Sequence, residues 1–304
     1  MSTNSENMAK AKPFIKWVGG KGQLIEQLDA LLPFDFDKLE DVTYIEPFVG
    51  GGAMFFYMLQ RYSNIKHAII NDINQNLTNC YWAVKDFPEQ LIKSLSIIES
   101  EYLALQNDEE RRYFFMKCRD SYNGKKNDFI ENATLLIFLN KTCFNGLYRV
   151  NKKGLFNVPF GKYKNPKICD SETIRKDSEL LQKVEILNGD FEKTFGYAKG
   201  NTFFYFDPPY RPLSNTSSFT DYTKDSFNDE SQIRLKEFCD RVNNDGYKFM
   251  LSNSDGKDNF FDTLYSNYEI DRVFASRCIN SNGQKEVSYQ KFLFTTIKKQ
   301  NSII

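Results

Sequence analysis

The sequence predicts an α/β fold in which a sheet of parallel strands is interrupted by an insertion. Three observations carry that expectation. Short apolar, β-branched runs near the start of the chain close abruptly in glycine or polar turns. Comparable runs return only after residue 183, and the stretch between has helical spacing. Apolar runs of this length suit strands buried on both faces, as in a parallel sheet covered by helices.

The elements follow in order. Residues 42–46 (VTYIE) lead into a glycine turn and residues 67–71 (HAIIN) end at Asp72, so both read as buried parallel strands. Residues 53–62 read as the helix between them, completing a βαβ unit. Helical spacing then recurs over 88–106, 108–122 and 131–140. Beyond Asn145 the chain turns loop-rich and basic, with glycines at 146, 154 and 161. Alternating segments at 147–150 and 155–158, joined by NKKG, predict a β-hairpin. Strands resume at 184–187, 202–206 and 247–252, a helix over 229–243 fits a crossover, and alternating 287–297 makes the last strand. The expected organisation is a sheet domain from 1–76 and 184–304, with 77–183 inserted.

A chain of 304 residues, 41% hydrophobic, can bury a sizeable core. Mean hydropathy is -0.54, and no run approaches the roughly 18 apolar residues of a membrane span. The first twelve residues are polar and lack the apolar core of a secretion signal. The expectation is a cytoplasmic protein with no membrane partner. Cysteines 80, 118, 143, 169, 239 and 278 form no CxxC pair and His67 is the only histidine, which speaks against a metal site and a disulfide framework. Forty basic residues balance forty acidic ones, but the distribution is uneven. Lys141, Arg149, Lys152, Lys153, Lys162, Lys164, Lys167, Arg175 and Lys176 face only Asp170 and Glu172 in the same stretch. Such an excess would neutralise phosphates; a solvated basic face would look the same.

Three motifs carry chemistry. EPFVGGG (46–52) sits between a strand and a helix, where glycines admit a ligand close to the backbone and the helix N-terminus offers free N–H groups. The turn lacks GxGxxG spacing and follows an acidic residue, which disfavours a nicotinamide cofactor; a plain tight turn stays open. Asp72, at the end of the next strand, is placed to bind ribose hydroxyls or to cap a helix. DPPY (207–210) follows the strand TFFYF. Its prolines stop ladder pairing and hold the Asp207 carboxylate and the Pro208 carbonyl rigidly at the sheet's carboxyl edge. Both are acceptors for an amino group, and Tyr210 offers a flat face to a base.

KPFIKWVGGK (12–21), YIEPFVGGGAMFF (44–56) and DPPYRPLSNTSSFTDYTKDSF (207–227) together resemble the Dam family of DNA adenine methyltransferases, in the order of its alpha-type arrangement. NKTCFNGLYRVNKKGLFNVPFGKY (140–163) is similar to that family's recognition hairpin, and the likeness runs over about 12–296. The resemblance implies a Rossmann-like S-adenosylmethionine-dependent methyltransferase sheet with an inserted helical and β-hairpin DNA-recognition domain. It implies transfer of a methyl group to adenine N6 in duplex DNA, within GATC and with base flipping, by a monomer. The enzyme would stand alone or belong to a restriction-modification system, whose cognate restriction endonuclease would act on the same site without forming a complex.

Residue by residue, the resemblance gives cofactor roles to Trp17, Gly20, Lys21, Glu46, Phe48, Gly50, Asp72, Asp190, Phe191 and Asp207. The catalytic set is Asp207, Pro208, Pro209 and Tyr210. Arg149 matches a guanine-reading arginine, Leu147 and Pro159 match contacts to a thymine, and Lys16 matches a base contact. Phe144, beside Asn145, stands where an aromatic, typically tyrosine, enters the gap of the extruded base. Asn151 and Lys162 suit phosphate contacts. Two departures matter. Phe144 lacks a hydroxyl, and Lys162 replaces a common arginine, keeping charge but losing the planar fork.

Overall fold

The computed structural model describes residues 10–17, 19, 21–124, 126–211, 227–254, 258–279 and 286–296. In chain order the strands are β1 (Val42–Glu46), β2 (Ile65–Asp72), β3 (Val184–Asn188), β4 (Thr202–Phe206), β5 (Lys248–Ser254), β6 (Glu269–Ile279) and β7 (Glu286–Thr296). The helices are α1 (Ile25–Ala30), α2 (Ala53–Arg61), α3 (Gln75–Asp86), α4 (Pro88–Ala104), α5 (Asp108–Gly124), α6 (Phe129–Thr142), α7 (Ser171–Leu181), α8 (Asp229–Asn244) and α9 (Phe260–Leu264). Two compact units result. One comprises Met1–Gly20, Gly50–Arg61 and Asn74–Asn188; the other Lys21–Val49, Tyr62–Ile73 and Gly189–Ile304.

The second unit holds a mixed sheet in the order β2-β1-β4-β5-β7-β6. β2, β1, β4 and β5 are mutually parallel, which gives the α/β architecture its parallel core. β1 and β4 are buried at every position, as expected of central strands covered on both faces. Because neighbouring parallel strands run in step (Ile45 opposite Phe204, Phe206 opposite Leu251), Glu46, Asp72 and Asp207 emerge at one carboxyl edge. β7 and β6 close the sheet as an antiparallel pair. β7 matches the expected last strand except that Ile297 lies outside the described residues. β6 was not foreseen. Glu269, Asp271, Arg272 and Arg277 break its apolar pattern, and as an edge strand it pairs only with β7.

In the first unit α6 is buried almost all round and contacts α3, α4 and α5. Local chemistry sets the helix starts. Asn74 Oδ1 accepts from the N–H groups of Asn76 and Leu77, Asp128 Oδ1 from Glu131, and Pro88 opens α4, where no N–H is needed. The expected hairpin strands at 147–150 and 155–158 are replaced by one antiparallel bridge, Val150 to Phe156. Two cross-strand backbone bonds flank it, Asn157 N–H to the Arg149 carbonyl and Asn151 N–H to the Leu155 carbonyl, and side chains take further backbone groups. Asn151 Oδ1 accepts from Lys153 and Leu155, Asn123 pairs with both backbone groups of Phe156, and Arg149 donates to the Asn157 carbonyl.

Candidate active site

In the sheet unit, Asp207 lies directly beyond β4. Lys21 Nζ donates to both of its carboxylate oxygens at 2.7 Å, and the Ser252 hydroxyl donates to Oδ1 at 2.7 Å. The Lys21 side chain is only 4% exposed, and its ammonium lies 4.6 Å from the centre of the Tyr210 ring. The turn is fastened from behind. The Pro209 carbonyl accepts from buried Gln232, whose own oxygen accepts from buried Asn253. Arg211 pairs with Asp229 and Asp258, and its carbonyl accepts from the Ser254 hydroxyl. Pro208 is buried and Pro209 exposed. Burial, with the Asp207 charge beside it, pushes the Tyr210 phenol well above its ordinary range, so it keeps its proton.

Glu46 ends β1 as a fully buried carboxyl that accepts from Tyr44 at 2.7 Å. Burial raises its pKa well above the usual carboxylate range, against the lowering effect of the Tyr44 hydrogen bond. Asn71, buried at the end of β2, donates through its side-chain amide to the carbonyls of Pro47 and Gly189, and its backbone carbonyl accepts from the Val49 N–H. One amide therefore ties the turns after β1 and β3 to β2 and sets Asp72, whose carbonyl accepts from Gly189. Phe48 and Phe191 bring their rings to 5.3 Å, with Phe227 against both. Asp190 pairs with Arg234, which also covers the Phe191 ring at 4.4 Å. Lys21, Glu46, Phe48, Asp72, Asp190, Phe191 and the DPPY turn all belong to this unit. Gly20 lies outside the described residues.

The first unit assembles the other expected residues. Trp17 stacks on Tyr148 (5.0 Å, 21°) and rests on the glycine turn, where a Cβ at Gly50 would meet its ring at 3.0 Å. Gly50 has φ 49, a further demand for glycine. Phe144 is 51% exposed, Asn145 beside it has φ 55, and the Phe144 N–H donates to the carbonyl of exposed Pro159. Leu147 and Arg149 are half-buried, the Arg149 guanidinium being held by Asn157. Lys16 and Lys162 are exposed. Of the basic stretch, Lys167, Arg175 and Lys176 are spent on Asp170, Glu89 and Glu179. Lys152, Lys153, Lys162 and Lys164 are exposed and make no ion pair among the described residues. A cleft of about 430 Å³ beside the hairpin is lined by Arg119, Asn123, Asn151 and Asn157.

This arrangement has a counterpart among known proteins. The model of the D12 class N6 adenine-specific DNA methyltransferases matches residues 17–279. The chain belongs to that family. The D12 methyltransferase is 50% identical over 278 residues to the Type II methyltransferase M.MjaIII of Methanocaldococcus jannaschii, covering 91% of this chain and 95% of that one. It is 40% identical over 296 residues to the Type II methyltransferase M1.LlaDCHI of Lactococcus lactis subsp. cremoris, covering 96% of each. It is 31% identical over 276 residues to the DNA adenine methylase of Escherichia coli K12, covering 91% and 92%. The resemblance read from the motifs is thereby borne out, and the D12 methyltransferase is an adenine-specific DNA-methylating enzyme. Among its described residues no helix is long and apolar enough to cross a membrane.

Three residues of this D12 methyltransferase escaped the sequence reading. Ser252 sits in an ordinary apolar strand, Asn140 at the end of an apolar helix, and Tyr148 between two expected reader residues. Only the polarity of Ser252 and Asn140 at buried positions could have singled them out.

Proposed function

We propose that the D12 methyltransferase transfers the methyl group of S-adenosylmethionine to adenine N6 in double-stranded DNA, within GATC, after the base leaves the duplex. The observation that carries this reading is the Asp207 turn: a rigid pair of acceptors beside an aromatic ring at a carboxylate-lined sheet edge. That edge fits the cofactor. Glu46, Asp72 and Asp207 suit a ligand with cationic groups and ribose hydroxyls, and Phe48 and Phe191 suit a purine. Asp190, Lys21, Trp17, Gly20 and Gly50 complete the proposed set. When bound, S-adenosylmethionine supplies an electrophilic methyl group on sulfonium sulfur.

The chain's own residues do the rest. Asp207 and the Pro208 carbonyl accept hydrogen bonds from the target amino group, which draws its lone pair out of conjugation with the ring. Tyr210 stacks on the base, on the ring face opposite Lys21. Orientation and fixed electrostatics then lower the barrier, with no covalent enzyme intermediate. In the hairpin, Arg149 reads guanine, Leu147 and Pro159 meet a thymine methyl, and Phe144 fills the vacated space, with Asn145 and Lys16 beside the bases. Lys162 and Asn151, with Arg119 in the adjoining cleft, take phosphates. Residues 77–183 would be the recognition insertion, and residues 1–76 with 184–304 the catalytic, cofactor-binding domain. Two relatives named Type II methyltransferases support a place beside a restriction endonuclease. The endonuclease would act on the same site without forming a complex, and the enzyme would be a cytoplasmic monomer.

The test uses methyl-labelled S-adenosylmethionine with a GATC duplex and a scrambled duplex, followed by nucleoside analysis. Label in N6-methyladenine from the GATC duplex alone is expected. Label in both duplexes would remove the hairpin assignment, and label in cytosine would replace adenine by cytosine N4. Asp207→Asn keeps one acceptor oxygen, able to serve both Ser252 and Lys21, and puts an NH2 donor in place of the other; it should lose turnover while remaining folded, and full activity would sink the acceptor role.

A further inference from the structure

The two oxygens of Asp207 are treated differently. Oδ1 accepts from Ser252 and from Lys21, whereas among the described residues Oδ2 accepts from Lys21 alone. An ionised carboxylate offers about four lone-pair sites, two on each oxygen. Oδ1 is therefore filled, and Oδ2 keeps one site.

Strand pairing makes this asymmetry. Ser252 follows Leu251, which stands opposite Phe206, so the sheet register brings its hydroxyl to the residue after β4. The serine is fully buried. Asp207 cannot donate, so the Ser252 proton must point to Oδ1. The Tyr205 hydroxyl lies 3.5 Å from Ser252 Oγ, a weaker contact than the 2.7 Å bond to Oδ1. The short bond to Oδ1 is the one that orients the hydroxyl.

We infer that Ser252 is a positioning residue for methyl transfer: it donates to Asp207 Oδ1, sets the carboxylate plane and reserves Oδ2 for the target amino group. This rests on the proposed role of Asp207 as acceptor. The carboxylate torsion of aspartate is intrinsically broad. Without the hydroxyl only Lys21 orients it, and a single ammonium that reaches both oxygens selects neither. The amino group then finds its acceptor correctly placed for less of the time.

The experiment measures kcat, KM for the duplex and for S-adenosylmethionine, and Kd for S-adenosylhomocysteine, in Ser252→Ala and Ser252→Cys. Turnover should fall in the order serine, cysteine, alanine, because a thiol is a weak donor. Loss of a hydrogen bond to a charged group predicts about a 10- to 100-fold lower kcat in the alanine variant. Both KM values and the analogue Kd should stay unchanged. Wild-type kcat in either variant overturns the inference, and so does a parallel loss of binding and turnover, which marks a structural role. If Ser252→Ala does not fold, the near-isosteric cysteine variant decides alone. Asp207→Asn with full activity would instead overturn the underlying reading, so the two failures are told apart.

Discussion

At the scale of single residues, the site is governed by what burial does to charge. Glu46 is fully buried and takes its hydrogen bond from a phenol, and burial, with the Asp207 charge, holds its pKa high against the lowering effects of Tyr44 and Lys21. A neutral carboxyl is the stable form of such a group until a positive charge arrives. Binding a ligand that carries sulfonium and ammonium charge should therefore ionise it. The sign follows: the bound state holds fewer protons, so proton release accompanies binding, and affinity rises with pH up to the pKa of the free protein. Titration calorimetry of S-adenosylhomocysteine, cationic through its ammonium group, in buffers of different ionisation enthalpy should show that release. Its absence in the wild type, or its persistence in Glu46→Gln, would contradict the assignment.

At the scale of elements, one buried amide joins two motifs that are distant in sequence. Asn140, at the end of α6 and 1% exposed, accepts from the Lys16 N–H and donates to the carbonyls of Lys16 and Gly146. It thereby fixes the backbone of Lys16 to the start of the hairpin, where Gly146 leaves room for the Lys16 side chain that a Cβ would strike. Asn140→Asp retains the acceptor but turns a donor facing two carbonyls into a third oxygen. We expect it to cost about 3 kcal/mol, the scale of a buried group left unsatisfied beside like partial charges. Denaturant unfolding would measure this, and a loss below about 0.5 kcal/mol, the scatter of ordinary surface changes, would refute it. Tyr148 works similarly at shorter range, covering Trp17 from between Leu147 and Arg149.

At the scale of the whole molecule, charge balance hides an uneven distribution of basic residues. The net charge is +0, yet Lys152, Lys153, Lys162 and Lys164 stand exposed without acidic partners among the described residues. Phosphate contacts and base contacts should separate in the salt dependence of binding. Removing Lys162 should weaken GATC and scrambled duplexes alike and lower the slope of log K against log salt by about 0.9. Arg149→Ala should leave that slope nearly intact but lose about 1–3 kcal/mol of discrimination at one base pair. Equal losses for both variants on both duplexes would show that the hairpin holds DNA without reading it.

Much of this was legible from sequence because local chemistry is local. β1 and β4 carry uninterrupted apolar runs, DPPY can only follow a strand that stops, and a glycine turn before a helix has few other uses. Those features determined the α/β class, the family and the position of Asp207. Pairing decided the rest, since a residue's partners depend on register and not on its neighbours in the chain. Nothing around Ser252 or Asn140 in the sequence marks them as polar hubs. The hairpin ladder was expected from alternation, yet it is reduced to one bridge with two cross-strand bonds, and side chains of Asn123, Asn151 and Arg149 take further backbone groups. The sequence by itself determined the family and the motifs on which the proposed chemistry rests. The tertiary structure alone decided which oxygen of Asp207 is occupied, because Ser252 and Lys21 come to it from 45 and 186 residues away.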